Sequence, residues 1–179
     1  MCEIVDGQAQ FSGPWRDDLE RAYRSSVVSD TAKQMLCSGT GLTAEDVVEV
    51  QAAMRACLAD AGITQVEFME YSRMSITQPA GMPQTAFDSV ESACESQSGY
   101  YPISSLYFSM RQNPNKADVD QLIADCLVRA GLRPAGFTGQ DVRAEYSGDD
   151  SRVPFADIAD DSAQAPVLDR CLNNPLGLS

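Results

Sequence analysis

The sequence predicts a mainly α fold with a small β-hairpin, an α+β arrangement in which disulfides staple a helical scaffold built from two related cysteine-helix units. Three observations carry this expectation. Val50 to Ile63 reads VQAAMRACLADAGI and Val119 to Leu132 reads VDQLIADCLVRAGL, so both copies share C-L-x-x-A-G followed by Ile or Leu. Elsewhere apolar residues recur three or four apart, as one buried helix face requires. Only TQVEFMEYSRMSIT, from Thr64 to Thr77, is rich in strand formers, and its alternation predicts two short strands.

The elements follow in order. A first helix is expected from Pro14, a plausible first helical position, with Trp15, Leu19, Ala22 and Tyr23 on its inner face. A second follows Ser29 through Ala32, Met35 and Leu36 and stops at Ser38 to Gly41. The third is the best marked. Thr43 and Asp46 resemble a capping box, Val47, Val50, Met54, Cys57, Leu58 and Ala61 form the stripe, and Gly62 ends it. Its second copy starts near Lys116, turns Val119, Leu122, Ile123, Cys126, Leu127 and Ala130 inward, and ends at Gly131. Between the copies, a loop from Pro79 to Pro83 leads to a helix carrying Phe87, Val90 and Cys94 that ends near Gly99. A further helix covers Ile103 to Arg111 before Asn113-Pro114 breaks it. Beyond the second copy come a short helix from about Gly139 to Tyr146, an acidic loop SGDDSRVPFADIADD, and a last helix with Val167, Leu168 and Cys171. No low-complexity linker intervenes. The expected organisation is one compact domain over 1–179, with an N-terminal helical region 1–42, a first cysteine-helix unit 43–112 and a second 113–179.

The cysteines are Cys2, Cys37, Cys57, Cys94, Cys126 and Cys171. Six cysteines permit many connectivities. The repeat favours Cys57 with Cys94 and Cys126 with Cys171, because each pair links a repeat helix to the next cysteine helix. Cys2 with Cys37 follows by elimination. Each loop so closed is worth roughly 3 to 4 kcal/mol in the chain-entropy model. The competing reading is buried free thiols in a cytosolic core, since free cysteine is among the most buried residue types. Zinc is disfavoured by the lack of C-x-x-C and of any histidine. Disulfides require an oxidising compartment and hence export. With no signal at its start, the chain is read as a mature form with an added initiator methionine, and a lipid anchor on Cys2 is the less favoured option.

Charge and motifs exclude several functions. With 26 acidic against 13 basic residues, the net charge of −13 opposes nucleic acid and anionic membrane faces. No apolar run approaches the roughly 20 residues needed to cross a bilayer. Without histidine, Ser-His-Asp and Cys-His arrangements cannot be built, and no phosphate-cradling, dinucleotide-binding or nucleophile-elbow motif occurs. No cofactor is expected. The acids Asp149, Asp150, Asp157, Asp160 and Asp161 lack the spaced order of a calcium loop and read as solvated. Two groups are candidate binding surfaces: Tyr100, Tyr101, Tyr107 and Phe108 around Pro102, and Met69, Tyr71, Met74 and Met82. Core packing is the simpler reading of both.

The runs LCSGTGLTAEDVVEVQAAMRACLADAG, then C-x(5)-YYPISSLYFSMRQNP from Cys94, then DVDQLIADCLVRAGL resemble secreted or lipid-anchored proteins of unknown function common in actinobacteria. In that group a helix ending C-L/M-x-x-x-G precedes a β-hairpin and a second cysteine helix, and L-Y-x-x-M-x-x-N-P precedes another. The resemblance spans most of Pro14 to Cys171. Cys37 stands where the group has a short acidic turn such as D-G, so Cys37 and Cys2 look like a local addition. The resemblance implies a scaffold and an extracytoplasmic location, and it supplies no catalytic residues. The function expected is non-catalytic binding of an envelope protein or of a neutral or cationic ligand, through loops Gln78 to Gln84 and Ser147 to Asp161. The alternatives are an envelope hydrolase using paired carboxylates and a cytosolic helical protein with reduced cysteines.

Overall fold

The repeated motif explains how the helices end. In the computed structural model, which describes residues 2–6, 8–39, 41–69, 72–147 and 153–177, helix Ala44–Asp60 is closed by two backbone bonds beyond its last turn. Ile63 N–H donates to Leu58 C=O at 2.8 Å and Gly62 N–H to Ala59 C=O at 2.9 Å. The second copy, helix Val119–Arg129, repeats them: Leu132 N–H donates to Leu127 C=O at 2.9 Å and Gly131 N–H to Val128 C=O at 3.0 Å. This is a Schellman cap, in which glycine takes the left-handed conformation and an apolar residue after it packs on the helix. Gly62 and Gly131 sit at φ 85° and 73°, and Leu58, Ile63 and Leu127 are fully buried.

The fold is mainly α with two small antiparallel hairpins, a disulfide-stapled α+β scaffold. It divides into two compact units, Met1–Met110 and Arg111–Ser179, each with its own apolar core. The division falls two residues before the one drawn between 112 and 113 from the repeat.

Unit 1 opens with strands β1 Cys2–Val5 and β2 Gln8–Phe11. Sequence patterning did not predict this hairpin. Only Cys2 and Phe11 are buried, with Ala9 partly buried against the core, so the apolar alternation is weak, yet Asp6-Gly7 is the kind of dipeptide a two-residue hairpin loop favours, and Val5 pairs with Gln8. Helices α1 Arg16–Arg24, α2 Asp30–Leu36 and α3 Ala44–Asp60 follow. Pro14 lies in the turn before α1 and not at its first position. Ser29 Oγ accepts from Ala32 N–H at the start of α2, and Thr43 and Asp46 form the expected capping box on α3. Strands β3 Val66–Phe68 and β4 Met74–Ile76 pair antiparallel, and α4 Gln84–Ser98 and α5 Tyr100–Gln112 complete the set. Tyr100, fully buried, fixes α5 to the hairpin segment: its hydroxyl donates to the carbonyls of Ser72 and Arg73 at 3.2 and 3.3 Å.

A single residue joins α4 to α5. Gly99 takes φ 70°, ending α4 with its N–H on Glu95 C=O, and a Cβ there would overlap the Cβ of Ala32 in α2. Both the turn and the close approach of α2 need glycine.

Unit 2 holds α6 Val119–Arg129, α7 Gly139–Tyr146, α8 Ala156–Ala159 and α9 Ala165–Asn173. Asp118 caps α6, accepting from Asp120 and Gln121 N–H. Val119 departs from its expected inward position: at the first turn of α6 it is 48% exposed, and Ala130 at the far end is exposed too. Residues 153–161 of the acidic stretch form more structure than a loop. Phe155 and Ile158 are buried and fold it into α8. Phe155 adopts φ 56°, which costs a bulky residue roughly 1 to 3 kcal/mol. Arg133 offsets that cost. Its side chain is 13% exposed, donates to both Asp157 oxygens at 2.8 and 2.9 Å, and lies 3.6 Å from Glu145. Its guanidinium also faces the rings of Phe137 and Phe155 at 5.5 and 5.6 Å. Glu145 in turn accepts from Phe155 N–H.

The three disulfides join the expected pairs, and no free cysteine remains. Cys2 and Cys37 have their Cα atoms 4.8 Å apart, Cys57 and Cys94 5.6 Å, and Cys126 and Cys171 5.5 Å. Cys94 and Cys171 are buried, whereas Cys57 and Cys126 sit half-exposed at the edge of their helix stripes.

Two predictions follow from this architecture. Cys126 and Cys171 close a separation of 45 residues, worth about 4 kcal/mol in the chain-entropy model, in a unit whose core is too small to supply much more. Replacing both by Ser should expose unit 2 to proteolysis before unit 1, and equal cleavage of the two units in a time course would contradict this. Gly99→Ala should lower stability by about 3 kcal/mol, from the left-handed backbone and the overlap with Ala32 together. A denaturant midpoint close to that of the parent would show that α2 can move aside.

Candidate functional site

Unit 1 carries a large groove beside α4. It encloses about 760 Å³, is open to solvent, and is lined by Val27 and Val28, by one face of α4, and by Tyr101 and Pro102 at the start of α5. The α1–α2 connection forms one wall because Ser96 Oγ donates to Val27 C=O at 2.6 Å, tying it to α4. The α4 face is set by helical spacing: Asp88, Ser89, Ser92, Ala93, Glu95 and Ser96 lie within two turns of one another. Tyr101 reaches the groove because the Gly99 joint turns Tyr100 into the core and its neighbour out, leaving Tyr101 61% exposed. Val27 is 65% exposed on the opposite wall.

The electrostatics are one-sided. No lysine or arginine occurs between Arg73 and Arg111, so Asp88, Glu91 and Glu95 have no basic residue on their own helix. Burial raises the Glu95 carboxyl above its ordinary range, and the neighbouring Glu91 carboxylate raises it further. The Tyr100 hydroxyl is pushed up to about 12, by burial first and then by Glu95. Two of the groove hydroxyls are engaged: Ser96 donates to Val27 C=O, and Ser89 Oγ donates to Thr85 C=O at 2.7 Å. Asp88 accepts from Gln84 Nε2 at 2.6 Å.

No family model, curated protein or solved structure matches the chain. The site therefore rests on its own geometry.

The residues singled out by sequence fall differently. Of the aromatic cluster, Tyr100 and Tyr107 are core and Phe108 is half-buried with its ring edge-on to Tyr107, leaving Tyr101 as the exposed member. Met74 and Met82 pack against the unit 1 core and Met69 is 38% exposed, while Tyr71 lies outside the described residues. The segment from Gln78 to Gln84 is a turn held by Gln78 Nε2 on Met82 C=O and does not line the groove. Of the segment from Ser147 to Asp161, residues 148–152, with Asp149 and Asp150, lie outside the described residues. Asp157 binds Arg133, Asp161 accepts from the N–H groups of Ala163 and Gln164, and Asp160 is exposed. Among the described residues no group of three potential metal ligands forms. The six cysteines serve as staples. Sequence reasoning passed over Val27, Val28, Ser92 and Glu95, although the gap in basic residues between Arg73 and Arg111 was readable.

Glu95 should give a pH-dependent penalty. A carboxyl whose folded-state value is raised makes the native state bind its proton more tightly than the unfolded chain. The cost of ionising it is therefore fully present above the raised value and disappears as pH falls to about 4, the ordinary glutamate range. Glu95→Gln should raise Tm at neutral pH and lose that advantage near pH 4. A gain that persisted unchanged in acid would have to come from something other than the carboxylate.

Proposed function

We propose that the protein is a non-catalytic binding module of the cell envelope or the secreted fraction, and that it recognises its partner through the groove between α4, the α1–α2 connection and Tyr101. The observation that carries this reading is the groove itself: exposed valine and tyrosine walls beside carboxylates without a local counter-charge, on a frame tied by Ser96 and by the Cys57–Cys94 disulfide. Apolar walls with a few placed polar groups are what ligand sites are made of, and holding them on stapled helices limits the ordering cost of binding. The chain contains no histidine to activate a groove serine, which argues for recognition over nucleophilic chemistry. Three disulfides and no free cysteine are compatible with an oxidising, extracytoplasmic location, and the resemblance to secreted actinobacterial proteins points the same way. No helix among the described residues is long and apolar enough to cross a membrane.

Selection of random displayed peptides on the oxidised protein should enrich binders. These should be lost with Ser92→Trp, which fills the groove from an exposed position, and kept with Ala52→Trp on the exposed face of α3. Turnover of glycan, peptidoglycan or ester substrates, abolished by changing Asp88 or Glu95 in a protein that still folds, would replace this reading with a carboxylate hydrolase.

A further inference from the structure

Building on the groove as a recognition site, we infer that its occupant is a segment of a partner protein in which a lysine or arginine is flanked by aliphatic residues, with the cation seated against Asp88 and Glu95 and the flanks against Val27, Pro102 and Tyr101.

Charge chooses the cation. Asp88, Glu91 and Glu95 stand on one helix with no lysine or arginine between Arg73 and Arg111, and none of the three makes an ion pair among the described residues. The contrast with α1 is direct. There Arg21 lies 3.6 Å from Asp18 and Arg24 3.2 Å from Glu20, so the acids of that helix are answered locally. An arriving ammonium or guanidinium supplies what α4 lacks, and it relieves the repulsion between Glu91 and Glu95. An anionic segment meets that repulsion instead.

The apolar walls choose the flanks. Val27 and Tyr101 are more than half exposed although they border the same groove, and Val28 beneath them is 8% exposed, so an aliphatic side chain laid between them leaves water on three sides. The exposed Tyr101 ring also offers a face to a cation, the arrangement Arg133 already makes with Phe137 in unit 2. A peptide segment fits better than a lone amine, because the groove is open, encloses about 760 Å³ and is lined by residues from the α1–α2 connection, α4 and α5. Metal ions are poorly served, since no set of three ligating side chains converges among the described residues.

Capped octapeptides with a Leu-Lys-Leu centre in a serine and glycine frame, and their Gln and Glu counterparts, carry the test, with fluorescence anisotropy as readout and the oxidised full chain as receptor. The lysine peptide should bind about tenfold tighter than the glutamine peptide, with the glutamate peptide weakest, and the preference should shrink as salt is raised toward ~0.5 M. In the double variant Asp88→Asn with Glu95→Gln the lysine peptide should fall to the affinity of the glutamine peptide. Tyr101→Ala should weaken both. Equal binding of the lysine and glutamine peptides overturns the cation assignment while leaving the groove an apolar binding site. Competition by arginine amide as effective as by the whole peptide overturns the peptide assignment in favour of a small cation. If no peptide of the series binds while a display-selected ligand is still blocked by Ser92→Trp, the occupant is of another chemistry. Failure of every ligand to respond to Ser92→Trp removes the recognition site altogether.

Discussion

The cap that closes α3 and α6 governs the rest of the structure, because it sets where the two staples can reach. In each copy the cysteine precedes the leucine whose carbonyl receives the closing bond, so the disulfide lies on the last turns of the helix that the cap fixes. The glycine alone would end the helix. Leu58 with Ile63, and Leu127 with Leu132, add an apolar clasp that fixes the direction in which the chain leaves. The cysteine on the following helix then meets a terminus whose geometry is already determined. Cys57 reaches α4 and Cys126 reaches α9 by this one device, even though a hairpin follows the first copy and two short helices follow the second.

What the device holds differs between the units. In unit 1 it positions α4, and α4 in turn holds the α1–α2 connection through Ser96 and receives α2 at Gly99. The groove is thus a by-product of three fixed approaches and does not depend on a long loop. In unit 2 the same staple spans a small core, and a charged cluster does the remaining work. Arg133 is nearly buried, but both Asp157 oxygens, the Glu145 carboxylate and two aromatic faces surround it, so little of its desolvation goes unanswered. That cluster keeps Phe155 in a left-handed backbone that an isolated segment would avoid.

Where local chemistry decides the structure, the sequence was legible. The capping box at Thr43, the terminators Gly62, Gly99 and Gly131, the strands around Val66 and Met74, the short helix from Gly139 and the cysteine pairs are each written in a few adjacent residues or in a repeat. Elements made by tertiary contact were not. Helix α8 exists because Phe155 and Ile158 find a core and Asp157 finds Arg133, and all three sit in a stretch that reads as an acidic loop. The N-terminal hairpin buries only two residues fully, one of them a cysteine whose partner is distant in the chain. The groove was illegible for a related reason: Val27 lies in a connection, Tyr101 beside a core tyrosine, and Glu95 in a helix, and nothing in their spacing announces that they share a wall. One part of it was nonetheless written in composition, as the missing basic residues between Arg73 and Arg111.

In the proposed reading, that missing charge ties the α4 face to recognition and not to stability. A solvated helix flank gains a few tenths of a kcal/mol from each acid paired with a base one turn away, and α1 takes that gain at Asp18 and Glu20. Helix α4 has the room for it, because Ser92 is exposed four residues after Asp88, where a lysine would pair without disturbing the core. Serine stands there instead, and Glu95 carries an ionisation cost that a glutamine would not. A face that forgoes inexpensive pairing, holds a half-buried carboxylate and leaves valine and tyrosine uncovered gives up stability that α1 takes. In the proposed reading, a bound cation with an apolar flank supplies the compensation.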